Sequence, residues 1–433
     1  MGDIYISGHR NPDMDSVCSA YAYAVLKNKI DPDNRYIPIR PGHLSDNVKK
    51  ILGGIGIEIP AYRRDIYPRV SDVVLTSEVH PEADELLTEI AVSYKDSNPS
   101  VIPVYDQGKF YGLLSVDDIT SWVMGEISSK GHVESIPRIR DIMREQESPV
   151  RIDDLFEEAK AQLSSSKKRG LAVFDDEGYV GYVTRRCFLR SPHHRVILVD
   201  HNEPKQSIRG IETAEIVEII DHHRLDAVKT ELPIFIDAEP LGSTCTIVYQ
   251  QFLRHHIFPD ETTAKVLLAG IIADTLILHS PTATGADVWA AEALAGICRT
   301  DLNEFGLEMF SRMESLKNRD AEGAIASDFK VYYEKSMRFG IGQCETTTLD
   351  DLSDYAETYL EQLEILKKKN GLDWAGLMIT DVLREHSILL TTEHKMNASL
   401  QYNAIGERIY DMPGVMSRKK QLLPEIISAI GMK

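Results

Sequence analysis

The sequence predicts an α/β protein: a parallel-sheet domain, interrupted by a smaller α+β insert and followed by a second α/β domain. Three observations carry this reading. Apolar runs of strand length at 4–6, 195–199 and 215–220 each lead into His- and Asp-bearing loops, as parallel strands with a site at their C-terminal edge do. Between them, about 67–188, two related units each read helix, strand, turn, strand, Gly-x-x-Ser/Thr, then helix. From about 315 onward the strands and helices follow a pattern of their own.

In chain order, the strand at 4–6 runs into Gly8-His9-Arg10-Asn11-Pro12-Asp13-Met14-Asp15-Ser16, one imidazole and two carboxylates on a single loop. Ser16 is placed to cap a helix over 17–26. A second strand is expected at 34–39 and a helix at 46–55, broken by Gly53-Gly54. The first unit of the insert holds an acidic helix at 82–93, a strand at 100–105 and a turn at 106–108, and then runs through 110–118. The second holds 140–143, a helix at 155–164, a strand at 171–174, a turn at 175–178 and a strand at 179–184. Further strands are expected at 195–199, 215–220 and 234–236, and a helix starts near Ser243-Thr244 and runs to about 253. The apolar stretch 264–272 then brings up Asp274, whose burial calls for a partner or a metal.

Composition narrows the function classes. A chain of 433 residues suits roughly three domains. With 43% hydrophobic and 27% charged residues it reads as globular, and no run approaches the ~20 apolar residues of a membrane span. The N-terminus lacks a signal-peptide pattern, and the five scattered cysteines form no Cys-x-x-Cys pair, which together predict a cytoplasmic protein. A net charge of −19 disfavours a nucleic-acid surface but leaves room for a small anion held by metals and a few local cations.

His9, Asp13, Asp15, Asp200, His222 and Asp274 all stand at strand ends or in apolar context. Two imidazoles and four carboxylates exceed the needs of one four- or five-coordinate ion and suit two ions with a bridging carboxylate. Such pairs activate water and neutralise phosphoryl oxygens. Lys330, Arg418 and Lys419 would hold the rest of a polyanionic substrate. Read without the rest of the chain, the first loop is equally a polar turn, and the basic runs are solvated surface.

The repeated insert resembles a pair of cystathionine-β-synthase-type (CBS) domains, which commonly bind adenine nucleotides in their cleft. By that resemblance Ser115 and Thr184 face the nucleotide, Asp118 accepts from ribose hydroxyls, and Lys168 and Arg169 meet phosphates. Cys187 stands where a second ribose carboxylate would sit, so one nucleotide site is better supported than two. A purely structural pair is the alternative.

His9-x-x-x-Asp13-x-Asp15, Asp200-His201-Asn202, Asp221-His222-His223 and Asp274 resemble the DHH phosphoesterase superfamily. Ser327-Asp328-Phe329-Lys330 and Ser417-Arg418-Lys419-Lys420-Gln421 resemble its family II inorganic pyrophosphatases in particular. The resemblance implies a DHH catalytic domain in two parts (1–64 and 191–310), a regulatory CBS pair (65–190) and a C-terminal substrate-binding domain (315–433). It implies that His9 and Asp13 bind one metal, that Asp15, His222 and Asp274 bind the other, and that Asp200 bridges them. His223 would bind substrate and assist the leaving phosphate as an acid, while Lys330, Arg418 and Lys419 bind phosphates. Mn²⁺ or Co²⁺ at the tight pair, Mg²⁺ arriving with pyrophosphate, regulation by AMP, ADP and ATP, and a homodimer are implied as well. A phosphodiesterase or short-chain polyphosphatase is the competing substrate reading, although the Gly-Gly-Gly-His motif usual in the nucleases is absent. A nucleotide sensor with an inactive core is the competing class.

Overall fold

The computed structural model describes residues 2–91, 99–144, 149–226, 229–311, 316–346, 348–381 and 384–431. The first domain begins with β1 (Asp3–Ser7), a long helix Met14–Ile30, β2 (Arg35–Arg40), a helix Asp46–Ile55 and the short β3 (Ala61–Tyr62). The chain then leaves this sheet for the insert, which holds β4 (Val101–Asp106), β5 (Lys109–Ser115), β6 (Val150–Arg151), β7 (Gly170–Phe174) and β8 (Tyr179–Thr184). It returns as β9 (Arg195–Val199), β10 (Glu215–Asp221) and β11 (Phe235–Ala238). These strands form a six-stranded sheet in the order β11-β10-β9-β1-β2-β3, parallel throughout.

Both faces of the sheet are covered, so its central strands are continuous apolar runs. Ile4, Ile6, Ile197 and Val199 face a large core shared with helices Met14–Ile30, Thr244–Arg254 and Glu261–Asp274. Tyr5, Val196 and Leu198 alternate onto the opposite face, against Ile66, Ile208 and Ile211. The β1–β2 connection lies on the first face and the β9–β10 connection on the second. The strand order therefore reverses between β1 and β9, and the crevice at their C-terminal ends is the ligand position such sheets provide.

Several expectations change. The first helix starts at Met14, not residue 17, and its N-cap is Asp13, whose side chain accepts from the Ser16 N–H. Ser16 Oγ instead accepts from the His9 N–H at 3.0 Å, close beside a Gly8 that has no room for a Cβ. The helix Asp46–Ile55 runs unbroken through Gly53-Gly54 and ends at Gly56, in the left-handed region. A helical glycine costs about 1 kcal/mol, less than the burial of Val48, Ile51 and Leu52 supplies. The strand expected at 234–236 begins at Phe235, as β11.

The insert differs more. The helix expected at 82–93 does not form over 82–90: Glu82 bridges to Tyr105 and Leu87–Ile90 is a single 3₁₀ turn, while residues 92–98 lie outside the described residues. The helix after β5 is full length, Val116–Lys130, whereas the one after β8 is a 3₁₀ turn, Arg185–Phe188. The units also exchange segments. Val70 packs in the core of the second unit with Val150 and Leu171, while Ile142, expected in the second, packs in the first beside Ile139, Ile102 and Leu114.

The C-terminal domain holds β12 (Phe329–Glu334), β13 (Met337–Thr346), a helix Leu352–Lys369, β14 (Trp374–Asp381), β15 (His386–Thr391), β16 (Asn403–Gly406) and β17 (Ile409–Pro413). Its sheet runs β12-β13-β14-β15-β17-β16, with only β13 and β14 parallel. Leu377 and Ile379 face one core and Met378 the other. The closing helix, Leu423–Gly431, follows a π-helical turn at Arg418–Leu422.

Candidate metal centre and active site

The loops after β1, β9 and β10 converge at this crevice. His9 Nε2 lies 3.3 Å from both Asp13 Oδ2 and Asp200 Oδ2. Asp13 divides its carboxylate, with Oδ1 capping the helix and Oδ2 facing His9. Asp200 is likewise divided, its Oδ2 toward His9 and its Oδ1 3.4 Å from His222 Nε2. The residue takes a φ of +60°, a left-handed conformation that costs energy for any side chain with a Cβ and that marks functional turns.

Asp15 is buried at the start of the helix Thr244–Arg254. It accepts from Ser243 Oγ at 2.6 Å and from the backbone N–H groups of Thr244 and Cys245 at 2.7 and 3.0 Å. Free helix N-terminal amides and the helix dipole favour a negative charge there. Gly270 makes the fit possible, because a Cβ on it would run into Cys245 Sγ and Asp15 Oδ1. His222 hydrogen-bonds the Leu241 carbonyl through Nδ1 at 3.0 Å, which fixes the proton there and presents Nε2 to Asp200 and Asp274, each 3.4 Å away. His223 donates from Nδ1 to Asp221 Oδ1 at 2.9 Å. Its ring is half-exposed at the mouth of the cluster, over a fully buried Asp221.

Without cations, this much negative charge must hold protons. Burial opposes charge on His9, yet Asp13 and Asp200 carry it up to about 10. Burial likewise opposes charge on His222, and Asp200, Asp15 and Asp274 raise it to about 10. Asp274 is pushed up to about 9 by burial and by the neighbouring carboxylates. Asp15 rises to about 6 through burial and Asp200. Burial also works against the Asp200 charge, but the two imidazoles hold it well below the usual carboxylate range. His223 is raised by its bond to Asp221.

Three groups have ligand atoms that all lie within 4.8 Å of one another: His9, Asp13 and Asp200; Asp15, His222 and Asp274; and Asp200, His222 and His223. His222 Nε2 is buried without a hydrogen-bond partner among the described residues, and it points into this acidic cage. A buried imidazole nitrogen aimed at three carboxylates, with its other nitrogen on a carbonyl, fits a divalent ion.

The basic residues sit in the C-terminal domain. Arg418 is buried and held there by Asp328, through the main-chain carbonyl at 2.5 Å and Oδ1 at 2.9 Å. Lys330 is exposed, with Nζ 4.0 Å from Asp328 Oδ1, and Lys419 is exposed on the turn beside Arg418. Among the described residues, no hydrogen bond or ion pair joins these three to the acidic cage.

In the insert, Ser115, Asp118 and Lys168 line a cavity of about 310 Å³ together with Arg144 and Lys167. Ser115 and Asp118 cap the helix reciprocally, which leaves Asp118 Oδ1 3.6 Å from Arg144 Nε. Arg169 lies outside that lining, in a two-pronged pair with Asp117 at 2.7 and 2.8 Å. Thr184 repeats the cap on the second unit, with Cys187 Sγ in place of the carboxylate, 3.3 Å from the Thr184 N–H.

Sequence reasoning missed three supports. Asp221 orients His223 and also accepts from Asn202 Nδ2 at 2.6 Å. Ser243 binds Asp15, and Asp328 holds Arg418. The Asp-His-His triplet and the abutting Ser-Asp motif were the available signals.

A parallel sheet with an acidic, imidazole-bearing cage at its switch point, joined to a separate domain that carries Lys330, Arg418 and Lys419, defines a class of metallohydrolase scaffolds. The DHH family N-terminal domain model matches residues 3–271, and the DHHA2 domain model matches 307–429. The cobalt-dependent inorganic pyrophosphatase of Clostridium perfringens is 28% identical, over 99% of this chain and 98% of that one, in an alignment of 543 positions. The manganese-dependent inorganic pyrophosphatase of Methanothrix thermoacetophila is 35% identical, over 54% of this chain and 77% of that one. The crystal structure of a Methanococcus jannaschii protein ascribed to family II inorganic pyrophosphatase covers 100% of both chains at 22% identity and a TM-score of 0.53. This chain belongs to the family II inorganic pyrophosphatases, with DHH and DHHA2 domains. Among the described residues no helix is long and apolar enough to cross a membrane.

Proposed function

We propose that this chain hydrolyses inorganic pyrophosphate to two phosphates at the acidic cage, using Mn²⁺ or Co²⁺ with Mg²⁺ arriving on the substrate, under control of adenine nucleotides. The observation that carries the reading is the divided carboxylate of Asp200, one oxygen toward His9 and the other toward His222. His9, Asp13 and Asp200 would hold one ion, and Asp15, Asp200, His222 and Asp274 the other. When bound, such a pair activates a water and neutralises phosphoryl oxygens.

The chain's own groups do the remainder. His223, whose hold on a proton Asp221 strengthens, reaches the substrate from the cage mouth and gives a proton to the departing phosphate. Arg418, already ordered by Asp328, offers its guanidinium to phosphate oxygens without first losing rotamer freedom. Lys330 and Lys419 add point charges. Closure of the C-terminal domain brings these cations to the substrate and excludes bulk water.

For regulation, the cavity at Ser115, Asp118 and Lys168 offers a carboxylate oxygen for ribose and lysines for phosphate. Arg169 would contribute after leaving Asp117, and Thr184 from the second unit. Cys187 in the carboxylate position supports one strong nucleotide site rather than two. Exposed Met124, Ile127 and Ile136 on and after the helix Val116–Lys130 suit stacking against a second copy.

The test is phosphate release from pyrophosphate, tripolyphosphate and a dinucleotide, with Mn²⁺ or Co²⁺ plus Mg²⁺, titrated with AMP, ADP and ATP. Fast, selective pyrophosphate hydrolysis modulated by nucleotides is expected. Hydrolysis indifferent to all three nucleotides would remove the regulatory half, and preference for the dinucleotide would overturn the substrate.

A further inference from the structure

A second polar cavity opens on the same C-terminal edge of the sheet, toward β2 and β3 rather than β9 and β10. It encloses about 530 Å³, and Arg10, Arg64 and Arg209 line it with Asn11, His43 and Tyr62. Among the described residues no acidic side chain lines it, in a chain whose net charge is −19. All three arginines are exposed there.

Among the described residues no carboxylate pairs with these three charges. Arg10 Nε and Nη2 donate to the Ser207 carbonyl at 3.3 and 3.1 Å, a neutral acceptor. Among the described residues, neither Arg64 nor Arg209 forms an ion pair with a carboxylate. Asp65, adjacent to Arg64, is committed to Arg69 at 2.8 Å. Gathering three like charges around one space is unfavourable unless an anion answers them, and guanidinium groups match phosphate oxygens in pairs. The walls are firm. The Arg10 N–H bonds the Gln206 carbonyl at 2.6 Å, and Gly42 approaches the Arg10 carbonyl where a Cβ could not fit. Arg40 donates to the Pro60 and Gly42 carbonyls at 3.0 and 2.7 Å. The rings of His43 and Tyr62 stack at 4.7 Å beside the space.

We infer that this cavity binds a phosphate-bearing anion outside the metal cage, through Arg10, Arg64 and Arg209. The occupant is inorganic (a phosphate or pyrophosphate) or the phosphate end of a nucleotide. Arg10 follows His9 directly, and Arg64 lies at the root of the insert. A bound anion therefore ties the His9–Asp13 loop to the segment that carries the regulatory units. The inference goes beyond the hydrolytic reading and needs no turnover.

Titration calorimetry on the metal-loaded full chain tests it, with two probes used separately: imidodiphosphate, a P–N–P analogue of pyrophosphate, and AMP. The imidodiphosphate isotherm of the wild type should need two classes of site. Arg64→Ala with Arg209→Ala should weaken one class about tenfold or more per lost arginine and leave the other in place. If the loss appears only in the AMP isotherm, the occupant is a nucleotide phosphate. The exposed side chains permit folding, checked by an unchanged unfolding temperature, and Arg64→Gln alone serves as a milder second variant. Wild-type and variant isotherms that coincide for both probes would overturn the inference. A failed hydrolytic reading shows differently, as absence of the class that the variants retain.

Discussion

Asp221 Oδ1 lies 2.9 Å from His223 Nδ1 and 3.1 Å from the His223 N–H, so one buried carboxylate sets both the ring and the backbone of that histidine. His223→Ala should lower kcat by about 10²–10⁴, the usual worth of a positioned acid. Asp221→Asn keeps the shape and loses the charge, and should cost about 10–100-fold with metal content unchanged. Steady-state kinetics beside elemental analysis would check both. A wild-type kcat for Asp221→Asn would remove His223 from the acid role.

The division of Asp200 between two groups makes a stoichiometric prediction. Elemental analysis after dialysis should find two tightly held ions per wild-type chain and one in Asp13→Ala, with both weakened in Asp200→Ala. Asp13→Ala also loses a helix cap and should destabilise the metal-free protein by about 1 kcal/mol. Equal metal contents in the two variants would show that Asp200 does not bridge.

Metal uptake should release protons. In the metal-free chain His9 and His222 are raised to about 10 and Asp274 to about 9, so all three are protonated at neutral pH and must lose protons to bind an ion. Apparent affinity for Mn²⁺ should therefore fall as pH falls. Calorimetric titrations at pH 7.5 in buffers of different ionisation enthalpy should give different heats, and buffer-independent heats would contradict the protonated cage.

Asp328 holds the guanidinium of Arg418 and also lies beside Lys330. Asp328→Ala leaves a buried arginine with one acceptor fewer and should cost about 1–3 kcal/mol of stability. It should raise KM for pyrophosphate more than it lowers kcat. Arg418→Lys, which loses the planar fork, should do the same to KM. A KM unchanged in both would place Arg418 in a purely structural role.

Asp118 caps its helix with Ser115 and lines the insert's cavity. Asp118→Ala should abolish most of the AMP response, and basal hydrolysis should survive because the cage lies in another domain. A preserved response with collapsed hydrolysis would reverse the assignment of the insert.

Much of this was legible in the sequence for a local reason. Strand-length apolar runs ending on Asp200 and Asp221 announce their own C-terminal edges, since a side chain cannot stay both buried and charged without a partner. The capping of the first helix was misread because Asp13 and Ser16 are both good caps, and only the Ser16 Oγ bond to His9 decides between them. The insert was misdivided because a repeat in sequence does not say which unit each flanking segment packs in.

By itself, then, the sequence determined the α/β class, the family and the strand ends on which the histidines and aspartates stand, because periodicity and motif spacing are properties of neighbouring residues. Only the tertiary structure decided that Val70 and Ile142 exchange cores, that Asp221 orients His223, that Asp328 grips Arg418, and that three arginines far apart in the chain share one cavity. Those relationships depend on strand order and on which polar groups find partners once the backbone is packed. Both are set by contacts across long stretches of chain, which no local pattern carries.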